Sequence, residues 1–402
     1  MRIVFAWEFG AGLGHLARLA PWMDAFRRCG VVPVLAVRDL HAVEAMAAAA
    51  QGLVVQAPGL RHAPLNGRDE LSSYAEVLLD AGYGSEAALG ALVRGWRSLF
   101  ELCDARAVVA DYAPTAILAA RLAGLPVMRV DDGFTLPPGG ATGLAFGDEA
   151  RRNPARFRQA EDRVVETLNG VLGAQGLARI DSSAAVFEAD LTVLATFAEL
   201  DHYRPCERRE AYSGHFETPS AEPYDWGAAP GPRILAYLNP RAINFEATAR
   251  LLARVPAQTR LYASGVTGPR SDRTQSGLAW SARPLPFAAA AAGCDLVVCH
   301  GGHGTVCNAL LAGKPLLLLP TGYEQVMTAR NVEALGAGRW VHPAHDDKTL
   351  KRALIRAIDD DAAGAAARLF ADRYAGNAQN VTVRLAEYAD RFVAIAGVGA
   401  CG

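Results

Sequence analysis

Two doubly wound α/β domains are predicted by three features of this chain. Short β-branched apolar runs alternate with helix-patterned stretches from residue 3 to residue 130, and a second alternation begins at Ile234. A stretch rich in Pro, Gly and Ala, Glu217 to Pro232, separates the two. The length of 402 residues gives each half enough chain for its own core. With 51% hydrophobic and 20% charged residues the chain is globular and not disordered. A formal net charge of -2 argues against a nucleic-acid partner, which requires a basic footprint.

In the first half, Ile3 to Trp7 reads as a strand that runs into a loop with three glycines ending at His15. Leu16 to Arg28 follows as a helix that either begins near Ala20, with Pro21 at its favoured first position, or kinks there. Strand Val31 to Val37, helix Leu40 to Ala50 and strand Leu53 to Gln56 continue the alternation. Asp69 to Cys103 is mostly helical, broken by Gly82 and Gly84. Strand Ala107 to Ala110 leads into Asp111, then helix Pro114 to Ala123, strand Val127 to Val130 and a turn-rich loop, Asp131 to Pro138. That loop lies at a carboxyl end of the sheet, where ligand clefts form. Arg151, Arg152, Arg156, Arg158 and Arg163, interleaved with Glu161 and Asp162, read as a solvated helix face.

The second half opens with strand Ile234 to Leu238, Asn239-Pro240, helix Phe245 to Val255 and strand Leu261 to Ser264. Its most informative stretch runs from Cys294 to Gly338. Strand Leu296 to Cys299 turns through His300-Gly301-Gly302-His303-Gly304-Thr305 into an apolar helix, Val306 to Ala312, which Gly313 ends. Strand, glycine corner and helix start form a phosphate cradle, because N–H groups at a helix N-terminus lie open and its dipole favours an anion. Strand Leu316 to Leu319 follows, and the next loop delivers Glu324 and Gln325. A diphosphate site with a carboxylate and an amide one βα unit on suits a nucleotide sugar, whose hydroxyls need both donors and acceptors. Helical stretches Asp347 to Asp360 and Asn377 to Ala396 close the chain.

These residues resemble the donor signature of the GT-B glycosyltransferases, the family of UDP-glucuronosyltransferases and of plant and bacterial natural-product glycosyltransferases. The resemblance implies two Rossmann-like domains facing a cleft. Residues 1–218 are the expected acceptor domain, 233–385 the nucleotide-sugar domain, and 386–402 a helix packing back on the first. It implies a diphosphate held by His300, Gly301, Gly302, Gly304 and Thr305, and a donor sugar held by Glu324 and Gln325. Gly14, Asn239 and Leu285 complete the expected donor set, the backbone near Leu285 taking the base, with UDP as the family default. Asn308 stands where the family often has a ribose-binding Glu, and Asn accepts only through one carbonyl oxygen. Phe134 and Pro137 are candidates for an acceptor pocket, a plain surface loop being the alternative.

Sugar transfer needs a base for the incoming hydroxyl and a place for the charge of the departing diphosphate. His15 sits at a helix N-terminus, which favours the neutral imidazole, and Asp111 at the end of another strand could fix its tautomer. The pair resembles the family's His/Asp dyad, although an Asp after a strand also serves as a helix cap, here of the helix at Pro114. No metal or other cofactor is expected beyond the nucleotide-sugar co-substrate. Asp359 to Asp361 has the Asp-x-Asp spelling of metal-dependent transferases but reads as a solvated helix terminus. The expected partner is a small-molecule, glycolipid or saccharide acceptor.

Two other functions fit parts of the pattern. The run GLGHLAR, with Arg18 after His15, resembles GT-B nucleotide-sugar hydrolases of sialic-acid-like sugar pathways. The Glu324-Gln325 pair and the long helical stretch from Asp69 to Cys103 favour a transferase over that reading. An inactive nucleotide-sugar-binding homologue is the other. Seven scattered cysteines without a CxxC pair suggest a reducing cytoplasm, and no secretion signal or membrane-length apolar run is evident.

Overall fold

The computed structural model describes residues 1–10, 13–44, 52–60, 73–136, 153–216, 224–228, 230–266, 277–342 and 345–397. Half of the stretch read as a linker, together with residues 45–50, Pro137, Pro138, Arg151 and Arg152, lies outside them. The chain divides into two compact units, one of Met1–Phe197, Tyr203–Phe216 and Val381–Gly402, the other of Ala198–His202 and Glu217–Asn380.

The first unit is built on six strands, β1 (Arg2–Trp7), β2 (Val32–Val37), β3 (Leu53–Gln56), β4 (Ala105–Asp111), β5 (Val127–Asp131) and β6 (Leu191–Leu194). Their order is β3-β2-β1-β4-β5-β6 and every pairing is parallel. The central strands are buried on both faces, which is why they read as unbroken apolar runs. The chain starts at β1, works outward to β3 and returns to β4, so the strand order reverses between β1 and β4. A crevice opens at such a reversal, beyond the carboxyl ends of the strands.

The helix after β1 spans Gly14–Arg28 with Pro21 inside it, which overturns a start near Ala20. The Ala17 N–H already donates to the Leu13 carbonyl, 2.9 Å away. An interior proline costs about 3 kcal/mol. Leu16, Leu19, Trp22, Met23 and Phe26 are all buried on this helix, at about 1.5–3 kcal/mol each, and together outweigh that cost. Helix Val381–Ile395 covers the same face. Phe392 meets Phe26 at a ring-centroid distance of 6.1 Å, and Tyr388 meets Trp22 at 5.9 Å.

Tyr74–Leu78 and Glu86–Leu102 are helices, joined through a π-turn in which Gly82 takes φ 102°. The arginine-rich helix Pro154–Gly173 departs from a purely solvated face. Arg156 forms a two-pronged ion pair with buried Glu76, at 2.6 and 3.1 Å, and buried Glu161 accepts from the Ser183 N–H and hydroxyl. Arg158, Asp162 and Arg163 are exposed as expected.

The second unit repeats the plan with β7 (Arg233–Leu238), β8 (Gln258–Ala263), β9 (Leu278–Ser281), β10 (Leu296–Cys299), β11 (Leu316–Leu318) and β12 (Gly338–Trp340). The order is β12-β11-β10-β7-β8-β9, again all parallel, with the reversal between β7 and β10. Gly338 makes the β12 pairing possible, since a Cβ there would lie 2.4 Å from the Leu316 carbonyl oxygen. Asp360 is a cap and not a solvated end: it accepts from the Ala363 N–H at the start of helix Asp361–Arg373 and pairs with Arg339 at 2.7 Å. No disulfide joins the described cysteines. Among the described residues, no helix is long and apolar enough to cross a membrane.

Candidate functional site

Each strand reversal carries part of the expected site. In the first unit, His15 lies in the first turn of the helix after β1, and Asp111 is the last residue of β4, in register with Trp7 of β1. His15 Nδ1 is 3.1 Å from Asp111 Oδ2. The Trp7 indole stacks on the imidazole at a centroid distance of 5.3 Å and an interplanar angle of 21°. A carboxylate can only accept, so Nδ1 carries the proton in the neutral ring and Nε2 is the basic nitrogen.

Asp111 does not cap the next helix. That cap comes from Glu8, whose carboxylate accepts from the Thr115 N–H at 2.8 Å across 107 residues of sequence. Glu8 is buried, and burial pushes its carboxyl up to about 7. Asp111 is thereby left to His15 and to Arg18, whose Nη1 reaches Asp111 Oδ1 at 2.9 Å while its Nη2 reaches Asp132 Oδ2 at 2.7 Å. The sequence reading gave Arg18 no catalytic-site role and placed Asp132 only in a loop. The detectable signal was the three-residue spacing of His15 and Arg18, which puts both on one helix face.

Tyr112, the residue after Asp111, holds a left-handed φ of 50°. Its carbonyl accepts from the Phe9 N–H, and its ring lies 5.8 Å from His15, 6.0 Å from Tyr74 and 6.4 Å from Phe134. Phe134 is thus packed in an aromatic cluster beside the imidazole, 5% exposed. Pro137, its companion in the expected acceptor pocket, lies outside the described residues.

Gly14 opens the helix that carries His15, with clear space where a Cβ would stand. Gly10 is different: it has φ 83°, and an added Cβ would lie 2.3 Å from His15 Nε2. We therefore expect Gly10→Ala to push the imidazole aside and cut turnover at least tenfold. It should also destabilise the protein by about 1–2 kcal/mol through the left-handed backbone. Thermal melting and turnover, measured together, check this; an unchanged rate in a folded variant speaks against the observed ring position.

In the second unit, Asn239 follows β7 and His300 follows β10, on the two sides of the other reversal. Both nitrogens of the His300 ring are engaged inside the protein in this structure. Its Nε2 accepts from the Asn239 N–H at 2.7 Å, so Nδ1 carries the proton and donates to the Leu319 carbonyl at 2.6 Å. Burial lowers its pKa from the ordinary histidine value, in keeping with a neutral ring. His300 thus ties together the segments after β7, β10 and β11. The Asn239 side chain also serves a turn, accepting from the Arg241 N–H at 3.0 Å.

The cradle itself is backbone. Helix His303–Leu311 starts at Gly302, which supplies no side-chain cap and has open space where a Cβ would project. Val306 makes the first bond back to the Gly302 carbonyl, so the N–H groups of His303, Gly304 and Thr305 precede the ladder. Gly301 takes φ 87°, with the Gln325 carbonyl oxygen 3.1 Å from where its Cβ would be. Gln325 Oε1 accepts from the Thr321 N–H at 2.8 Å and its hydroxyl at 3.0 Å, leaving the NH2 as the part of the amide able to reach a ligand. Glu324 lies in the first turn of helix Tyr323–Ala334 and supplies acceptors only. Asn308 lies on the cradle helix, half-buried. The Leu285 carbonyl accepts from the Tyr237 hydroxyl at 2.8 Å.

Two six-stranded parallel sheets, each reversing order beside a glycine corner, define the GT-B glycosyltransferase architecture. The calicheamicin glycosyltransferase CalG4 shares it over 98% of both chains, at 20% identity and a TM-score of 0.70. So does the spinosyn rhamnosyltransferase SpnG complexed with spinosyn aglycone, over 96% of this chain and all of that one, at 19% identity and a TM-score of 0.67. Its complex with thymidine diphosphate matches at a TM-score of 0.66, 19% identity and 95% and 99% coverage. More particularly, residues 280–387 match the C-terminal domain of the erythromycin biosynthesis protein CIII-like family. A PGL/p-HBAD biosynthesis rhamnosyltransferase of Mycobacterium bovis (strain BCG / Pasteur 1173P2) is 26% identical over 246 residues, 58% of this chain and 55% of its own. The chain thus spans about half the length of the curated relatives it matches first.

Proposed function

We propose that this protein is an inverting glycosyltransferase that moves a sugar from a nucleoside diphosphate donor to a hydroxyl-bearing acceptor. The observation that carries this reading is the 3.1 Å contact of His15 Nδ1 with Asp111, which leaves Nε2 basic. In the reaction the acceptor hydroxyl gives its proton to His15 Nε2 and its oxygen bonds the anomeric carbon. The bond from that carbon to the diphosphate breaks, its electron pair leaving with the diphosphate, and Asp111 stabilises the imidazolium. Direct displacement inverts the anomeric centre.

The second unit supports the donor half of this reading. The N–H groups at the start of helix His303–Leu311 are suited to the diphosphate, Glu324 accepts from sugar hydroxyls, and the Gln325 NH2 donates to them. Because a helix N-terminus meets the leaving charge, the reaction runs without a metal. UDP and TDP sugars both belong in the test, UDP as the commoner donor of such proteins and TDP because SpnG is described with thymidine diphosphate.

The purified protein is incubated with a panel of nucleotide sugars, with and without aromatic, lipid and saccharide acceptors, in excess EDTA, and the products are weighed by mass spectrometry. A glycosylated acceptor is expected, at an undiminished rate, with inverted anomeric configuration read from the NMR coupling constants of the purified product. Loss of activity in EDTA, restored by magnesium or manganese, refutes metal independence. Free sugar without any acceptor product marks a hydrolase.

A further inference from the structure

Arg18 lies between two carboxylates beside His15, and its arrangement goes beyond a His/Asp pair. Asp111 ends β4 and Asp132 follows β5, the neighbouring strand, so the sheet sets the two acids side by side. His15 and Arg18 are three residues apart on one helix and meet these acids from the same face. Asp111 spends one oxygen on each: Oδ2 on His15 at 3.1 Å, Oδ1 on Arg18 at 2.9 Å. The other prong of Arg18 is held by Asp132 at 2.7 Å. The side chains of Asp111 and Asp132 are 1% and 9% exposed, that of Arg18 15% and that of His15 14%.

We propose that Arg18 and Asp132 are positioning residues for His15, forming with Asp111 a chain that fixes the imidazole and sets its readiness to take a proton. This rests on His15 being the base. Three consequences follow from the geometry. With both oxygens of Asp111 bonded, the carboxylate cannot rotate, so the His15 ring is held in one plane. The Arg18 cation stands between two neighbouring buried carboxylates and offsets their mutual repulsion. Its charge also works against protonation of His15, while Asp132 partly cancels that charge.

Other described groups also face this cluster. Trp7 and Gly10 bring no charge, and Tyr112 presents its ring. Beyond Asp132 lies Asp131, whose carboxyl is pushed up by burial and drawn back by Arg129. Glu8 lies on the Thr115 side.

The test is a titration of the His15 ring by NMR in the intact protein without ligand, assigned by comparison with His15→Gln, in three variants. Arg18→Met removes the cation, so the midpoint should move up from the parent by roughly half a unit to one unit. Asp132→Asn removes an anion, so it should move down by a similar amount. Arg18→Lys keeps the charge but not the two-pronged fork, so the midpoint should stay near the parent while turnover falls about tenfold with donor KM unchanged. Shifts of opposite sign support the chain. Shifts of the same sign, or none, overturn it, and so does full turnover in Arg18→Lys. Should Arg18→Met not fold, Asp132→Asn and Arg18→Lys decide. The titration needs no substrate, so its failure is distinct from a failure of glycosyl transfer.

Discussion

His15→Ala is expected to lower turnover by about two to four powers of ten while nucleotide-sugar affinity hardly moves. The diphosphate cradle and sugar contacts proposed above belong to the second unit and His15 to the first, so removing the imidazole takes away the proposed proton acceptor and leaves that cradle intact. Asp111→Ala should do less harm, because Asp111 orients the ring and stabilises the imidazolium without taking the acceptor proton itself. Joining the two changes should cost little beyond His15→Ala alone, as residues that act as one unit are not additive. Single-turnover rates and calorimetric nucleotide affinities for the three variants check this. A folded His15→Ala protein that transfers sugar at nearly the parent rate removes the base from the mechanism.

The second large effect concerns stability. Glu8 has its carboxyl raised from 4.5 to about 7 by burial. The folded protein therefore keeps a proton that the unfolded chain releases between those values. The stabilisation is full below pH 4.5 and is lost as pH rises through about 7, by roughly 3 kcal/mol once both states are ionised. Glu8→Gln stays neutral at every pH and still offers an oxygen to the Thr115 N–H. Its urea midpoint should exceed the parent's at pH 8 and converge with it near pH 4.5. Parallel curves at both pH values count against a protonated Glu8.

The central strands were legible because burial on both faces demands unbroken apolar runs, as in Ile3 to Trp7 and Leu296 to Cys299. The strands that the sequence did not reveal, β6, β9 and β12, all lie at sheet edges. They are three or four residues long and carry Thr192, Ser281 and Arg339, so periodicity has little to act on. His15 and Asp111 stood out because a glycine corner and a strand end are local features. Their partners did not, since Arg18 finds Asp132 across 114 residues and Glu8 caps a helix from 107 residues away. The partners of His300 were equally hidden, since its ring joins the Asn239 N–H and the Leu319 carbonyl from two other strand ends.

Helix Val381–Ile395 has a consequence for how the chain comes to be folded. It covers Trp22 and Phe26, on a helix made before the second unit, yet it is itself translated only after that unit. At ribosomal speeds this delay is on the order of ten seconds or more. Throughout it the nascent first unit presents an apolar face with its cover still unmade, while the second unit already has all its strands. The unit begun first is therefore the last to be finished, and its bare face is where a chaperone on the nascent chain has something to hold.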